Sequence, residues 1–175
     1  MRYCRLRVNE GKSAVASPTK RKFLGYSFYY KKGTYRLRVH PKSLNRLKDK
    51  VREVTNRNVS MNFETRLKKL IEKTRGWVNY FKLADMSKSL KEMDGWIRRR
   101  LRACIWKTWK KIRTRFTSLN KLGIDRNKAW EFANTRKGYW RISNSPIMQR
   151  SITNERLEKR GYVSMSTMYK KVILA

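Results

Sequence analysis

A mainly α fold is what this sequence predicts: a three-helix bundle with short helices behind it and a small β-hairpin in front. Two periodicities carry the prediction, apolar residues alternating with period two before residue 40 and recurring at helical spacing after residue 42. The third observation is composition, 39% hydrophobic and 12% aromatic, enough to build a core that a disordered basic chain lacks. The 175 residues suit one domain with appendages. They divide into a β segment over 1–40, a helical bundle over 41–122 and a helical extension over 123–175.

The first segment reads as β over residues 5–40. Leu24, Tyr26, Phe28 and Tyr30 alternate with Gly25, Ser27 and Tyr29, and the alternation resumes at Tyr35, Leu37 and Val39 beyond Lys31, Lys32 and Gly33. Two such runs joined by a short glycine-containing turn predict a hairpin, which Pro41 ends. Leu44, Leu47, Val51 and Val54 then lie on one stripe of a first helix, with Ser43 placed to cap it. Residues 56–62 are a polar connector. A second helix over 63–83 carries Leu67, Leu70, Ile71, Val78 and Phe81. A break at 84–89 precedes a third and longest helix, 90–117, striped by Leu90, Met93, Ile97, Leu101, Ile105 and Ile112. After Gly123, Asp125 predicts the cap of a helix over 126–135, stopped by Gly138. Ser145 and Pro146 open a helix that Gly161 closes, and Ser164 caps a last one to about residue 173.

Charge is the dominant compositional fact: 46 Lys and Arg against 12 Asp and Glu, a net charge of +34. Self-repulsion makes such an excess a cost to the compact state, so it points to a polyanionic partner, with nucleic acid the densest available. No apolar run reaches the length of a membrane span, and the basic helices bear Trp on several faces without a clean lipid face, so a membrane partner is not expected. With one histidine, His40, and two distant cysteines, Cys4 and Cys104, no zinc-ligand cluster assembles and free thiols in a cytoplasmic setting are expected.

Catalytic constellations are missing. The carboxylates are scattered: Glu64, Glu72, Glu92 and Glu131 sit on helices rich in Lys and Arg and are expected to pair within them, while Asp85 and Asp94 are expected to cap or pair with neighbouring Arg. Binding features are dense. Arg98, Arg99, Arg100 and Arg102 fall within five residues of one helix, followed by Lys107 and Lys110, and predict phosphate neutralisation. Arg75, Tyr80, Trp106, Trp109 and Arg136 are candidates for shape or stacking contacts with RNA. Lys137 and Trp140 belong to a basic-aromatic turn at 135–141, and Trp77, Phe81 and Trp96 are expected in the core.

These strings resemble a known family. Arg75-Gly76-Trp77-Val78-Asn79-Tyr80-Phe81-Lys82, then Leu83-Ala84-Asp85-Met86 and Asp94-Gly95-Trp96-Ile97-Arg98-Arg99-Arg100-Leu101-Arg102, resemble the maturase-specific thumb region of bacterial group II intron reverse transcriptases. So do Ala133-Asn134-Thr135-Arg136-Lys137-Gly138-Tyr139-Trp140-Arg141 and the stretch from Ser145 to Asn154. Upstream, residues 6–13 with Lys12 look like the last palm motif of these enzymes, and Phe23-Leu24-Gly25 begins a stretch similar to their primer-grip strands. The resemblance implies an end-of-palm remnant over 1–40 and a thumb-type bundle over 41–122. It also implies that group II intron RNA is the partner, with assistance to its splicing as the role. The Tyr-x-Asp-Asp motif that holds Mg2+ in the intact parent enzyme does not occur in this sequence, so no cofactor and no catalytic residue are expected in this chain. The alternative is the C-terminal subunit of a split RNA-directed DNA polymerase, acting on a template-primer duplex only with an upstream fingers-palm fragment; there Lys12, Phe23, Leu24 and Gly25 regain their roles.

Overall fold

The computed structural model describes residues 16–174. A short 3-10 turn, Pro18–Lys20, leads into an antiparallel sheet of β1 (Lys22–Phe23), β2 (Tyr26–Lys31) and β3 (Thr34–Val39) in the order β1-β2-β3. Both connections are two-residue turns, Leu24-Gly25 and Lys32-Gly33, with all four residues at positive φ, the geometry that matches strand twist. The hairpin therefore forms where its alternation predicts it, with Tyr26 opposite Val39 and Phe28 opposite Leu37. Leu24 belongs to the first turn and not to a strand. The motif at 6–13, with Lys12, and Cys4 lie outside the described residues.

Helix α1 (Pro41–Val54) starts earlier than Ser43 would allow as a cap. Pro41 occupies the first helical turn, His40 is the N-cap, and Lys42 N donates to His40 Nδ1 at 3.1 Å. Proline's fixed φ and missing N–H favour that position. Ser43 is buried instead and donates to Gly25 O at 3.1 Å. Helix α2 (Phe63–Tyr80) is capped by Asn62 and α3 (Ser87–Thr108) follows a tight turn. Leu47, Val51, Leu70, Val78, Leu90, Ile97 and Leu101 fill the core among the three helices.

The third helix is shorter than its apolar stripe predicts. It ends at Thr108, and after Trp109–Lys111 the chain restarts as α4 (Ile112–Lys121). No Gly or Pro marks this break. Tertiary contacts impose it: the Trp109 ring packs edge-on against Trp106 at 5.6 Å, and Arg115 Nε donates to Trp109 O at 3.0 Å. Five short helices complete the described chain. Asp125 caps α5 (Arg126–Ala133), and Gly138 precedes a single turn, α6 (Tyr139–Ile142), that periodicity did not reveal. The one helix expected between Ser145 and Gly161 is two, α7 (Pro146–Ser151) and α8 (Asn154–Lys159), each with its own hydroxyl cap, Ser145 and Thr153. Ser164 Oγ accepts from Thr167 N at the start of α9 (Met165–Leu174), which packs on α2 and α3.

Asp94 holds α9 in place. Its carboxylate is 2% exposed and accepts from Met165 N at 2.8 Å, Ser166 N at 3.0 Å, Ser166 Oγ at 2.6 Å and Tyr162 Oη at 3.1 Å. It thus satisfies the orphan N–H groups of a helix remote in sequence. Burial, and then the neighbouring Asp94 charge, push the Tyr162 hydroxyl pKa far above its ordinary value. Asp85 plays the matching role for the sheet. It pairs with Arg36 at 3.3 Å and accepts from Tyr29 Oη at 2.7 Å, while its N–H donates to Leu37 O. The structural roles expected for both aspartates therefore hold. The pairing expected for Glu64, Glu72, Glu92 and Glu131 does not form among the described residues.

Candidate nucleic-acid interface

Part of the charge excess serves the fold. The last carbonyls of a helix lack intrahelical partners and carry negative partial charge, which favours cations there. Arg66, 4% exposed, donates to Val54 O, Asn56 O and Val59 O and so closes α1 and its connector. Arg100 reaches the same helix end, with Nε on Thr55 Oγ1 and its guanidinium 5.2 Å from the Trp96 ring. Arg102 Nε donates to Ile152 O at 2.8 Å, just past α7, and its Nη2 to Asn154 Oδ1 at 3.0 Å. Arg115 donates to Trp109 O and Ala133 O, ending α3 and α5, and Arg156 donates to Leu122 O and Ser151 O, ending α4 and α7. Arginine suits this work because its planar fork serves two carbonyls at once.

Two sequence-predicted contacts are corrected on that ground. Trp106 is 1% exposed, packed against Trp109 and beneath Arg115. A ring so enclosed has no face to offer a base. Arg102 is 8% exposed and spends its guanidinium on Ile152 and Asn154. Burial, with Arg98 adding, pushes its pKa below the usual arginine value, and burial does the same to Arg100. Arg102 is thus largely enclosed, while Arg100 is half-buried between the end of α1 and the Trp96 ring.

The remaining cations are mostly unpaired. Three ion pairs, Arg36–Asp85, Arg52–Asp49 and Lys73–Glu53, form among the described residues, and all are exposed. The free cations are spread over the surface, and some of them line three concavities. The largest, a groove of about 660 Å3, runs between α3 and the α6–α8 segment; Lys91, Arg98, Arg99 and Arg102 line it, together with the carboxylates of Glu92 and Glu155. Arg99 stands over the Trp140 ring at 3.9 Å and donates Nη2 to Trp140 O at 3.0 Å, so Trp140 orients Arg99 while remaining 39% exposed. Glycine at 95 leaves the α3 side of this groove open, with no atom within 4 Å of an added Cβ.

A second hollow of about 480 Å3 lies between the β1–β2 turn, α1 and the end of α2. Trp77, Tyr80 and Phe81 form its aromatic wall and Lys22, Arg46 and Lys50 are also in its lining. The turn is fixed tightly. Gly25 O accepts from His40 N and Ser43 Oγ, Leu24 O accepts from Tyr80 Oη at 3.0 Å, and an added Cβ at Gly25 would meet Phe81 and Ser43 at 3.0 Å. Phe23 and Leu24 are exposed at its edge. A third hollow of about 290 Å3 borders the 56–62 connector and holds Arg57, Lys107 and Lys110; Lys107 Nζ donates to Asn58 Oδ1 at 2.9 Å. Cys104 lines it as a buried free thiol whose pKa burial pushes up, against the pull of Arg66 and Arg100.

The structure thus splits the sequence-predicted residues among separate faces. Arg98, Arg99 and Trp140 come together in the first groove, Tyr80 with Leu24 and Gly25 in the second, and Lys107 with Lys110 in the third. Trp109 is half-buried beside Ile152 and Arg156 in an apolar cleft. Arg75, Arg136 and Lys137 are exposed outside all of these. Sequence reasoning missed Lys91, Asn144 and Gln149 in the first groove and Arg46 and Lys50 in the second. The i, i+4 spacing of Arg46 and Lys50, flanking the apolar stripe of α1, is the signal that could have found the latter pair.

These hollows set Lys and Arg side chains beside aromatic rings, with Glu92 and Glu155 also in the first. Residues 44–123 match the family model described as the group II intron, maturase-specific domain. That stretch, from within α1 to just past α4, is what is similar to the maturase-specific domain. No curated protein matches the chain. Among the described residues no three His, Cys, Asp or Glu side chains assemble as a metal-ligating group. Nor is any helix among the described residues long and apolar enough to cross a membrane.

Proposed function

We propose that this chain binds folded group II intron RNA in the cytoplasm and assists its splicing. The observation that carries the reading is the α3 groove: the longest helix of the stretch similar to the maturase-specific domain presents Lys91, Arg98 and Arg99 along a concave polar surface in which these cations outnumber Glu92 and Glu155. Arg99 is preorganised by Trp140, which lowers the ordering cost of gripping a phosphate. The protein's contribution is positioning and charge neutralisation, which help the intron RNA reach its splicing-competent fold. The test is the splicing rate of a group II intron RNA at limiting Mg2+, with and without the chain. Acceleration is expected, and it should fall away in an Arg98→Glu, Lys91→Glu variant. A splicing rate unmoved by saturating protein sinks the reading.

One observation favours a second reading, a subunit of a split RNA-directed DNA polymerase. Phe23, Leu24, Tyr30 and Tyr35 stand 62–68% exposed on the sheet, apolar area that an upstream fingers-palm polypeptide would cover. The adjoining hollow with Tyr80, Arg46 and Lys50 would then face the template-primer duplex. Coexpression with a family fingers-palm fragment, followed by primer extension, decides it. Extension absent from both the complex and the separate chains excludes the polymerase role.

A further inference from the structure

Helices α4 and α5 form an antiparallel hairpin around Ala129, Ala133, Leu119 and Phe116. Its outer side carries Trp130, 57% exposed, with one ring edge against Phe116 at 5.6 Å and near-perpendicular. Nothing in the fold requires a tryptophan there: the buried contacts of α5 belong to Ala129 and Ala133, and Phe116 is only half-buried. One contact braces the ring, the edge of Phe116, while Asn134 Nδ2 donates to the Trp130 backbone carbonyl at 2.8 Å and closes the last turn of α5. Arg126 lies one helical turn before Trp130 and Arg113 one turn before Phe116, both exposed. Across residues 110–137 nine Lys and Arg face Asp125 and Glu131 alone, and Asp125 is spent capping α5.

The geometry points to a second nucleic-acid contact on this hairpin, in which an unpaired nucleobase stacks on the exposed face of Trp130 while Arg113 and Arg126 hold the phosphates on either side. A braced indole offers a flat apolar platform at low entropic cost, and every base has a π-face to lay on it. The surrounding cations select a polyanion over an ordinary protein surface, which would have to bury them without partners. Duplexes keep their bases stacked inside, so the platform suits a single strand, a loop or a bulge. This site is separate from the α3 groove and does not depend on which RNA that groove binds.

The test uses the full chain and fluorescence anisotropy with an oligouridine of about 12 nucleotides, the deoxy equivalent, and a duplex of equal charge. Trp130→Ala should weaken single-strand binding about 5- to 150-fold, Trp130→Phe should recover part of the loss, and duplex binding should hardly change. A greater loss for RNA than for DNA assigns the platform to RNA, and the converse to DNA. Because Trp130 is exposed, thermal unfolding should move little in either variant. Arg98→Gln should leave the Trp130-dependent term intact, which separates this contact from the groove. Unchanged single-strand affinity in Trp130→Ala overturns the proposal. So does an equal loss for duplex and single strand, or self-association of the chain that disappears in Trp130→Ala, which would assign the face to a second copy.

Discussion

Asp94→Ala removes the acceptor for four donors at once: the N–H groups of Met165 and Ser166 and the hydroxyls of Tyr162 and Ser166. A buried donor left without a partner costs about 1–3 kcal/mol, and more when its lost partner was charged. The Ser166 hydroxyl can turn towards solvent and water can enter the space, so the four do not add in full. The sum comes to about 3–5 kcal/mol, in the tail of point-mutation effects. In a chain of this size that lowers Tm by about 6–20 °C. Asp94→Asn keeps the shape and one acceptor but sets an NH2 against former donors, and should cost about 2–3 kcal/mol. The assay is urea unfolding of both variants and of Tyr162→Phe, combined in a double-mutant cycle. Coupling between positions 94 and 162 should reach about 1 kcal/mol. A loss below about 0.5 kcal/mol in Asp94→Ala, the range of an indifferent surface change, would refute the argument that α9 is capped from α3.

Two further outcomes follow from the same contacts. His40 Nδ1 accepts the first N–H of α1, and burial, followed by Lys22, Lys42 and Arg38, holds its pKa below the ordinary histidine value. The folded state thus binds the proton less well than the unfolded chain, so His40 contributes stability above about pH 6.5 that is lost as pH falls through the folded pKa. NMR titration of this single histidine gives the shift directly, and a pKa above 6.5 contradicts the cap. Arg66→Lys should cost about 2–4 kcal/mol in urea unfolding, because an ammonium cannot span Val54 O, Asn56 O and Val59 O, and these carbonyls are orphaned. A lysine variant as stable as the parent would show that water satisfies the connector.

Much of the fold was legible because it depends on local pattern. Alternation through Tyr26, Phe28 and Tyr30 with Lys32-Gly33 dictates the hairpin, and Leu47, Val51 and Val54 dictate the buried stripe of α1. What escaped depends on contacts between distant residues. The end of α3 at Trp109 is set by Arg115 and Trp106, with no Gly or Pro to announce it. Ser43 resembles a cap, yet Pro41 sets the start of α1 beside His40. The site was legible in part. Sequence can count four arginines within five residues, but cannot show that Arg100 and Arg102 meet helix carbonyls while Arg98 and Arg99 face a groove. A helix face settles which side a residue occupies, not which backbone carbonyl waits there.

The central claim, that the charge left over from the fold is directed at group II intron RNA, is tested most directly by affinity across a salt series. The comparison is the intron RNA against an unrelated folded RNA of equal length. If about 6–10 phosphates are neutralised, log K should fall against log salt with a slope of about −5 to −9. Replacing Arg98 by Gln should flatten it by about one unit. The account predicts tighter binding to the intron at every salt concentration. Equal affinity for the two RNAs throughout the series would contradict it and leave a basic protein with no preferred RNA.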